Sequence, residues 1–115
     1  MGKGSNIGEF EEIVMLTIGI LRDQAYGLAI KKEIEKNLNR SVSMGALHTG
    51  LYRLEEKGLL ISSLGKPTKK RGGKPKRFFT VTAKGQVALK EVMENRQKLW
   101  NEIPEGVFEI FPSHS

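Results

Sequence analysis

The order in which hydrophobic periodicity changes along this chain leaves few folds open to it. Over Glu9–Leu21 the positions Phe10, Ile13, Val14, Leu16, Thr17, Ile20 and Leu21 recur at helical spacing, and Arg22-Asp23-Gln24 interrupts them. A second helix is expected over about 26–38, with Leu28, Ile30, Ile34 and Leu38 apolar and Lys31, Lys32, Glu33, Glu35 and Lys36 solvated. Gly27 lets the first turn of that helix lie close to a neighbour. After the polar connection Asn39-Arg40-Ser41, Ser43 can cap a third helix over about 44–57, with Leu47, Leu51 and Leu54 on one face. Gly58 is expected to end it in a left-handed conformation. The apolar period then falls to two: residues 59–64 and Phe78-Phe79-Thr80-Val81 read as strands, and the Gly/Pro/Lys loop 65–75 joins them as a hairpin. Thr82 can cap a fourth helix over about 83–103, which Pro104 limits. The tail beyond it carries Val107, Phe108, Ile110 and Phe111, enough apolar surface to pack on the body.

Helix, helix, helix, strand, strand, helix predicts a mainly α fold with a small β-hairpin. Three helices, a two-stranded wing and a C-terminal helix form the layout of a winged helix-turn-helix. The expected division is a winged helix-turn-helix unit over 1–82 and a C-terminal dimerisation helix with its tail over 83–115. A chain of 115 residues is long enough for one modest core without staples.

Charge narrows the class of partner. Lys66, Lys69, Lys70, Arg71, Lys74, Lys76 and Arg77 crowd the hairpin loop with no acidic residue among them, so this one segment exceeds the net charge of +6 on the whole chain. A solvated charge run is the bland reading. Like charges in one loop repel, however, and a single sign suits a polyanion backbone better. The absence of cysteine excludes disulfides and thiolate chemistry. No apolar run approaches the roughly 20 residues of a membrane-spanning helix. The opening MGKGSNIGEF lacks the apolar stretch of a signal peptide, so a cytoplasmic location is expected.

Within the third helix, Ser43, Gly45, His48, Thr49, Tyr52 and Arg53 fall largely off the leucine face. A glycine allows backbone to approach phosphate. Hydroxyls and imidazole can bond base edges or phosphates, and an arginine reaches either. The competing reading is the wet side of an ordinary amphipathic helix. In the hairpin, Lys69, Lys70, Arg71, Lys74 and Lys76 can lie along phosphates beside or within the minor groove, and Arg77 is a further candidate DNA contact. On the fourth helix Leu89, Val92, Met93, Leu99, Trp100 and Ile103, with Arg96 between, form an apolar seam wider than so small a domain covers. It suits a homodimer, or else packs back on the domain's own core. Trp100 with Met93 could line a pocket for a flat aromatic effector, and an interface anchor is its plainer role.

Enzyme readings fare poorly, and no catalytic residue is assigned. The histidines are His48 and His114, no spacing suits a metal, and no cofactor is expected. Gly72-Gly73-Lys74 is followed by Pro75 and lacks the spacer of a phosphate loop. Glu55 and Glu56 read as solvated. Two rivals to a DNA-binding protein are a winged-helix interaction module and an RNA-binding module. Against the latter, Phe78 and Phe79 are adjacent and so face opposite sides of a strand.

The run Ser43-Met44-Gly45-Ala46-Leu47-His48-Thr49-Gly50-Leu51-Tyr52-Arg53-Leu54-Glu55-Glu56-Lys57-Gly58-Leu59-Leu60 resembles the PadR family of transcriptional regulators, whose motif there reads roughly S-x-G-T-L-Y-x-x-L-x-R-L-E-x-x-G-L-L. Residues 73–85 are similar to the family's G-R-P-x-R-x-Y-x-L-T-x-x-G, and Tyr26-Gly27 resembles its H-G-Y-x-I region. The resemblance spans about residues 10–90. It implies a winged helix-turn-helix dimer, built largely from the C-terminal helix, that represses genes at a palindromic operator. In some relatives phenolic or planar cationic compounds release the DNA, often near an aromatic at the dimer interface, which Trp100 resembles in position. His48 stands where the family usually has Tyr, and Ala46 where it usually has Thr, so operator sequence does not carry over. A histidine there also raises pH-sensitive binding, since imidazole titrates near pH 6.5.

Overall fold

The computed structural model describes residues 7–66 and 74–108. Helices α1 (Glu9–Leu21), α2 (Gly27–Leu38), α3 (Met44–Glu56) and α4 (Ala83–Glu102) accompany a two-stranded antiparallel sheet of β1 (Leu60–Leu64) and β2 (Arg77–Val81). The predicted winged helix-turn-helix is therefore the fold observed. The wing tip, with Lys69, Lys70 and Arg71, lies outside the described residues, as do Ile110 and Phe111 of the tail.

Each helix of the head contributes one apolar stripe to a single core. Val14, Met15 and Ile18 of α1, Ile30 and Ile34 of α2, and Leu47, Leu51 and Leu54 of α3 are buried together with Leu59, Leu60, Phe79 and Ala88. Truncating a fully buried leucine such as Leu47 to alanine would cost about 2–5 kcal/mol. The buried face of α1 differs from the expected one: Leu16 and Ile20 are exposed, while Glu11 and Glu12 are among the buried residues. Helix α1 is apolar over most of its circumference, so periodicity alone does not choose its inward face. Cations brought by other elements make the glutamates tolerable there. Lys57 Nζ reaches Glu11 Oε1 at 2.8 Å from the end of α3, and Arg96 Nη2 reaches Glu12 Oε2 at 2.7 Å from α4. On α2, Leu28 and Leu38 are likewise exposed.

Caps fix the ends of these elements. The Ser43 hydroxyl accepts from the Ala46 N–H at 3.0 Å, and the Thr82 hydroxyl accepts from the Gly85 N–H at 3.0 Å. Gly58, at φ 77°, closes α3 in the left-handed region as expected. The same corner anchors α4, because the Thr82 hydroxyl donates to the Gly58 carbonyl at 2.7 Å and Lys84 Nζ donates to the Lys57 carbonyl at 3.0 Å. Gly85 is needed for this closeness: a Cβ there would collide with the Leu59 carbonyl and lie 2.8 Å from Val81 Cγ1.

The wing pairs Leu60 with Val81, Ser62 with Phe79 and Leu64 with Arg77. Alternation puts Phe79 in the core and Phe78 on the other side, edge-on to Tyr26 with ring centroids 5.6 Å apart. The connection after the short 3-10 turn Arg22–Gln24 joins the sheet: the Phe79 N–H donates to the Ala25 carbonyl at 2.9 Å, and Tyr26 forms an isolated bridge with Phe78. This edge contact ties the wing to the start of α2. It sets where the wing stands relative to α3.

Candidate nucleic-acid interface

Helix α3 is amphipathic in a way that separates structure from chemistry. Leu47, Gly50, Leu51 and Leu54 are buried, whereas Ser43, Gly45, His48, Thr49, Tyr52 and Arg53 are exposed. At 100° per residue the exposed set runs in the order His48, Tyr52, Gly45, Thr49, Arg53 around an arc of about 140°. Every α3 residue predicted to act thus shares one solvent-facing surface. Tyr52 is 64% exposed. Its hydroxyl bonds to the Glu56 carboxylate, and that bond together with the carboxylate's charge raises its pKa above the ordinary value, so the phenol keeps its proton as a donor.

The two edges of the arc border different grooves. On one side Ala46, Thr49, Gly50 and Arg53 line a groove against Ile7–Glu11, with Lys57 at its end. Burial pushes the Glu11 carboxyl up there. Hydrogen bonds from Lys57 and the Gly8 N–H, with the charges of Lys57 and Arg53, outweigh that effect and hold it below 4.5. On the other side His48 lines a cleft of about 410 Å³ with Tyr26, Gly27, Lys76, Arg77 and Phe79. The base of the wing therefore stands beside the first turns of α3, and Lys76 and Arg77 join His48 there. Lys74 is exposed a little further along the wing.

The cations at the wing base are held in place. Lys76 Nζ sits 4.1 Å from the centroid of the Tyr26 ring, a cation–π contact. Arg77 Nη1 donates to Ser62 Oγ at 3.0 Å, and Ser62 Oγ donates to Glu55 Oε2 at 2.7 Å. Tyr26 and Ser62 position these cations, a role that sequence reasoning missed. The aromatic immediately before α2 was the available signal for Tyr26; nothing in the pattern marks Ser62.

Helix α4 presents a second surface. Of its 20 residues, Gly85 and Ala88 are buried. Leu89 packs against the core, Val92 and Met93 are half-buried, and Arg96 turns toward α1 to meet Glu12. Beyond that ion pair the apolar seam is bare: Leu99 is 70% and Trp100 63% exposed, and Ile103 is half-exposed. The chain then turns, and Phe108 comes back to Trp100 with centroids 6.1 Å apart. Among the described residues no cluster of His, Cys, Asp or Glu could hold a metal ion, and no helix is long and apolar enough to cross a membrane.

A winged helix-turn-helix whose third helix and wing base share one polar, cationic face is the architecture of a nucleic-acid-binding regulator. The chain belongs to the Transcriptional regulator PadR-like family, whose model matches residues 17–91, and members of that family are regulators rather than enzymes. Its fold is similar to that of a PadR-like transcription factor from Bacteroides fragilis, at 26% identity and a TM-score of 0.65, covering 80% of this chain and 84% of that one. A PadR family transcriptional regulator from Eggerthella lenta matches at 29% identity and 0.62, over 81% and 80%. A complex structure of hsRosR-S1 matches at 26% identity and 0.66, over 84% and 79%. Among curated proteins none matches the chain.

Proposed function

We propose that this protein is a sequence-specific double-stranded-DNA-binding repressor that acts in the cytoplasm as a homodimer on a palindromic operator. The observation that carries this reading is the shared exposure of His48, Thr49, Tyr52 and Gly45 on α3, flanked directly by Lys76 and Arg77 of the wing. Residues 1–82 act as the reading head. Ser43, Gly45, His48, Thr49, Tyr52 and Arg53 enter the major groove, while Lys69, Lys70, Arg71, Lys74, Lys76 and Arg77 grip phosphates. Residues 83–115 join two copies through Leu89, Val92, Met93, Arg96, Leu99, Trp100 and Ile103. The bare Leu99 and Trp100 support that role, since burying each such side chain is worth about 1.5–3 kcal/mol. A planar aromatic effector stacking on Trp100 near Met93 would alter the spacing of the two heads and release the DNA.

Two α3 helices reading successive major grooves stand about 34 Å apart. With three or four phosphates neutralised per protomer, log affinity falls against log salt with a slope of about −5 to −7. The test is selection of bound duplexes from a random pool. The expected product is a palindrome with half-sites one helical turn apart. Recovery of no enriched sequence, with weak binding to every duplex, would favour an interaction module on the same scaffold. Preference for structured RNA in competition would favour the RNA-binding alternative.

A further inference from the structure

The cleft between α3 and the wing differs in chemistry from the rest of the exposed arc. Its lining holds two permanent cations, Lys76 and Arg77, a phenol, Tyr26, and an imidazole, His48, over a floor formed by Gly27 and the buried Phe79. Among the described residues no carboxylate lines it. The Glu55 carboxylate is reached from Arg77 only through the Ser62 hydroxyl. The next side chain along α3, Tyr52, has its hydroxyl on Glu56, eight residues and about 12 Å of helix from His48. The groups that face His48 are thus Tyr26 from the start of α2 and Lys76 and Arg77 from the wing. Neither the His48 ring nor the Tyr26 hydroxyl has a hydrogen-bond partner among the described residues.

We infer that this cleft seats one backbone phosphate of the DNA per protomer, held by Lys76, the Tyr26 hydroxyl and a protonated His48, so that each half-site bound takes up a proton. The inference rests on the DNA-binding reading and deepens it. It assigns His48 to the backbone rather than to a base edge, and it adds Tyr26 to the interface. The physical reasons are two. First, a pocket with fixed cations and no carboxylate suits an anion, and a base edge, which is neutral and carries donors as well as acceptors, gains little from it. Second, a phosphodiester in contact favours an imidazolium over a neutral imidazole. Imidazole as a side-chain type titrates near pH 6.5, so the linkage falls in a range that binding assays can reach. Lys76, fixed over the Tyr26 ring, keeps its ammonium at the mouth without the entropy cost of ordering a free lysine.

The test uses the full chain and two probes at fixed salt: a duplex of arbitrary sequence and one recovered from the random pool, each titrated at pH 6 and pH 8. Wild type is expected to bind both duplexes about tenfold or more tightly at pH 6, and its salt slope should be steeper there by up to about 2, one extra cation for each of two protomers. His48→Gln should bind both duplexes with less than about a twofold difference between the two pH values, and with the salt slope of wild type at pH 8. Tyr26→Phe, which keeps the ring beneath Lys76, should weaken both duplexes alike by a few-fold. A pH dependence that survives in His48→Gln overturns the inference. So does a His48→Gln variant that loses affinity for the selected duplex alone, because that is the signature of a base contact. If wild type binds neither duplex at either pH, the DNA-binding reading itself falls, which a flat pH profile with intact binding would not imply.

Discussion

Helices α3 and α4 are both amphipathic, and each leaves a face uncovered, but the uncovered faces have opposite chemistry. On α3 the leucines go inward and the bare arc is Gly45, His48, Thr49, Tyr52 and Arg53; on α4 the bare surface is Leu99 and Trp100. A polar arc beside cations costs nothing to keep in water, and it waits for a partner with charge and hydrogen-bond groups. An exposed tryptophan and leucine instead lose free energy in water until another apolar surface covers them. The same fold therefore carries two exposed faces that cannot substitute for each other. On our reading one meets DNA and the other a second copy of the chain.

Breaking the α4 face should have the largest consequence. The double change Leu99→Glu and Trp100→Glu is expected to leave a monomer of 12.9 kDa in sedimentation, with the head still folded. Losing the paired head should weaken binding to a palindromic duplex by about 100-fold or more. A species of twice that mass would show that the seam lies elsewhere. The converse experiment weakens the DNA-facing side. Changing Lys69, Lys70 and Arg71 together to alanine should leave the oligomeric state untouched and flatten the salt slope by about 2 to 4. An unchanged slope would remove the wing tip from binding.

The joint between the two surfaces is sensitive in another way. Gly85→Ala forces a methyl group into the Leu59 carbonyl and against Val81, so thermal unfolding should report a loss of about 1–3 kcal/mol. The smallest effect concerns the tie between α1 and α3. Glu11 has its folded-state pKa held below 4.5, so the stability it contributes is present above that pH and fades as pH falls through the folded value. Glu11→Gln should lower stability by about 1 kcal/mol at pH 7 and by less near pH 3, read as chemical unfolding midpoints at the two pH values.

Much of this architecture was legible because the apolar spacing and the caps agree. Ser43 and Thr82 cap the helices expected of them, Gly58 adopts the left-handed turn, and the three leucines of α3 face inward. What stayed hidden was tertiary in origin. Glu11 and Glu12 lie in the first turn of α1, and their burial is matched by Lys57 and Arg96, which arrive from 46 and 84 residues away. Arg96, expected in the seam, also reaches Glu12 of α1, an ion pair that no local pattern announces. The role of Tyr26 depends on the Ala25-Tyr26 backbone pairing with β2, a contact between segments more than 50 residues apart that no local pattern encodes.

Amide hydrogen exchange on the full chain, with and without a bound duplex, tests the division of labour between the two helices most directly. The account predicts that DNA slows exchange at the first turns of α3 and at the wing base around Lys76, while the second half of α4 keeps the same protection in both samples. Slowing confined to α4, with α3 unchanged by DNA, would contradict it.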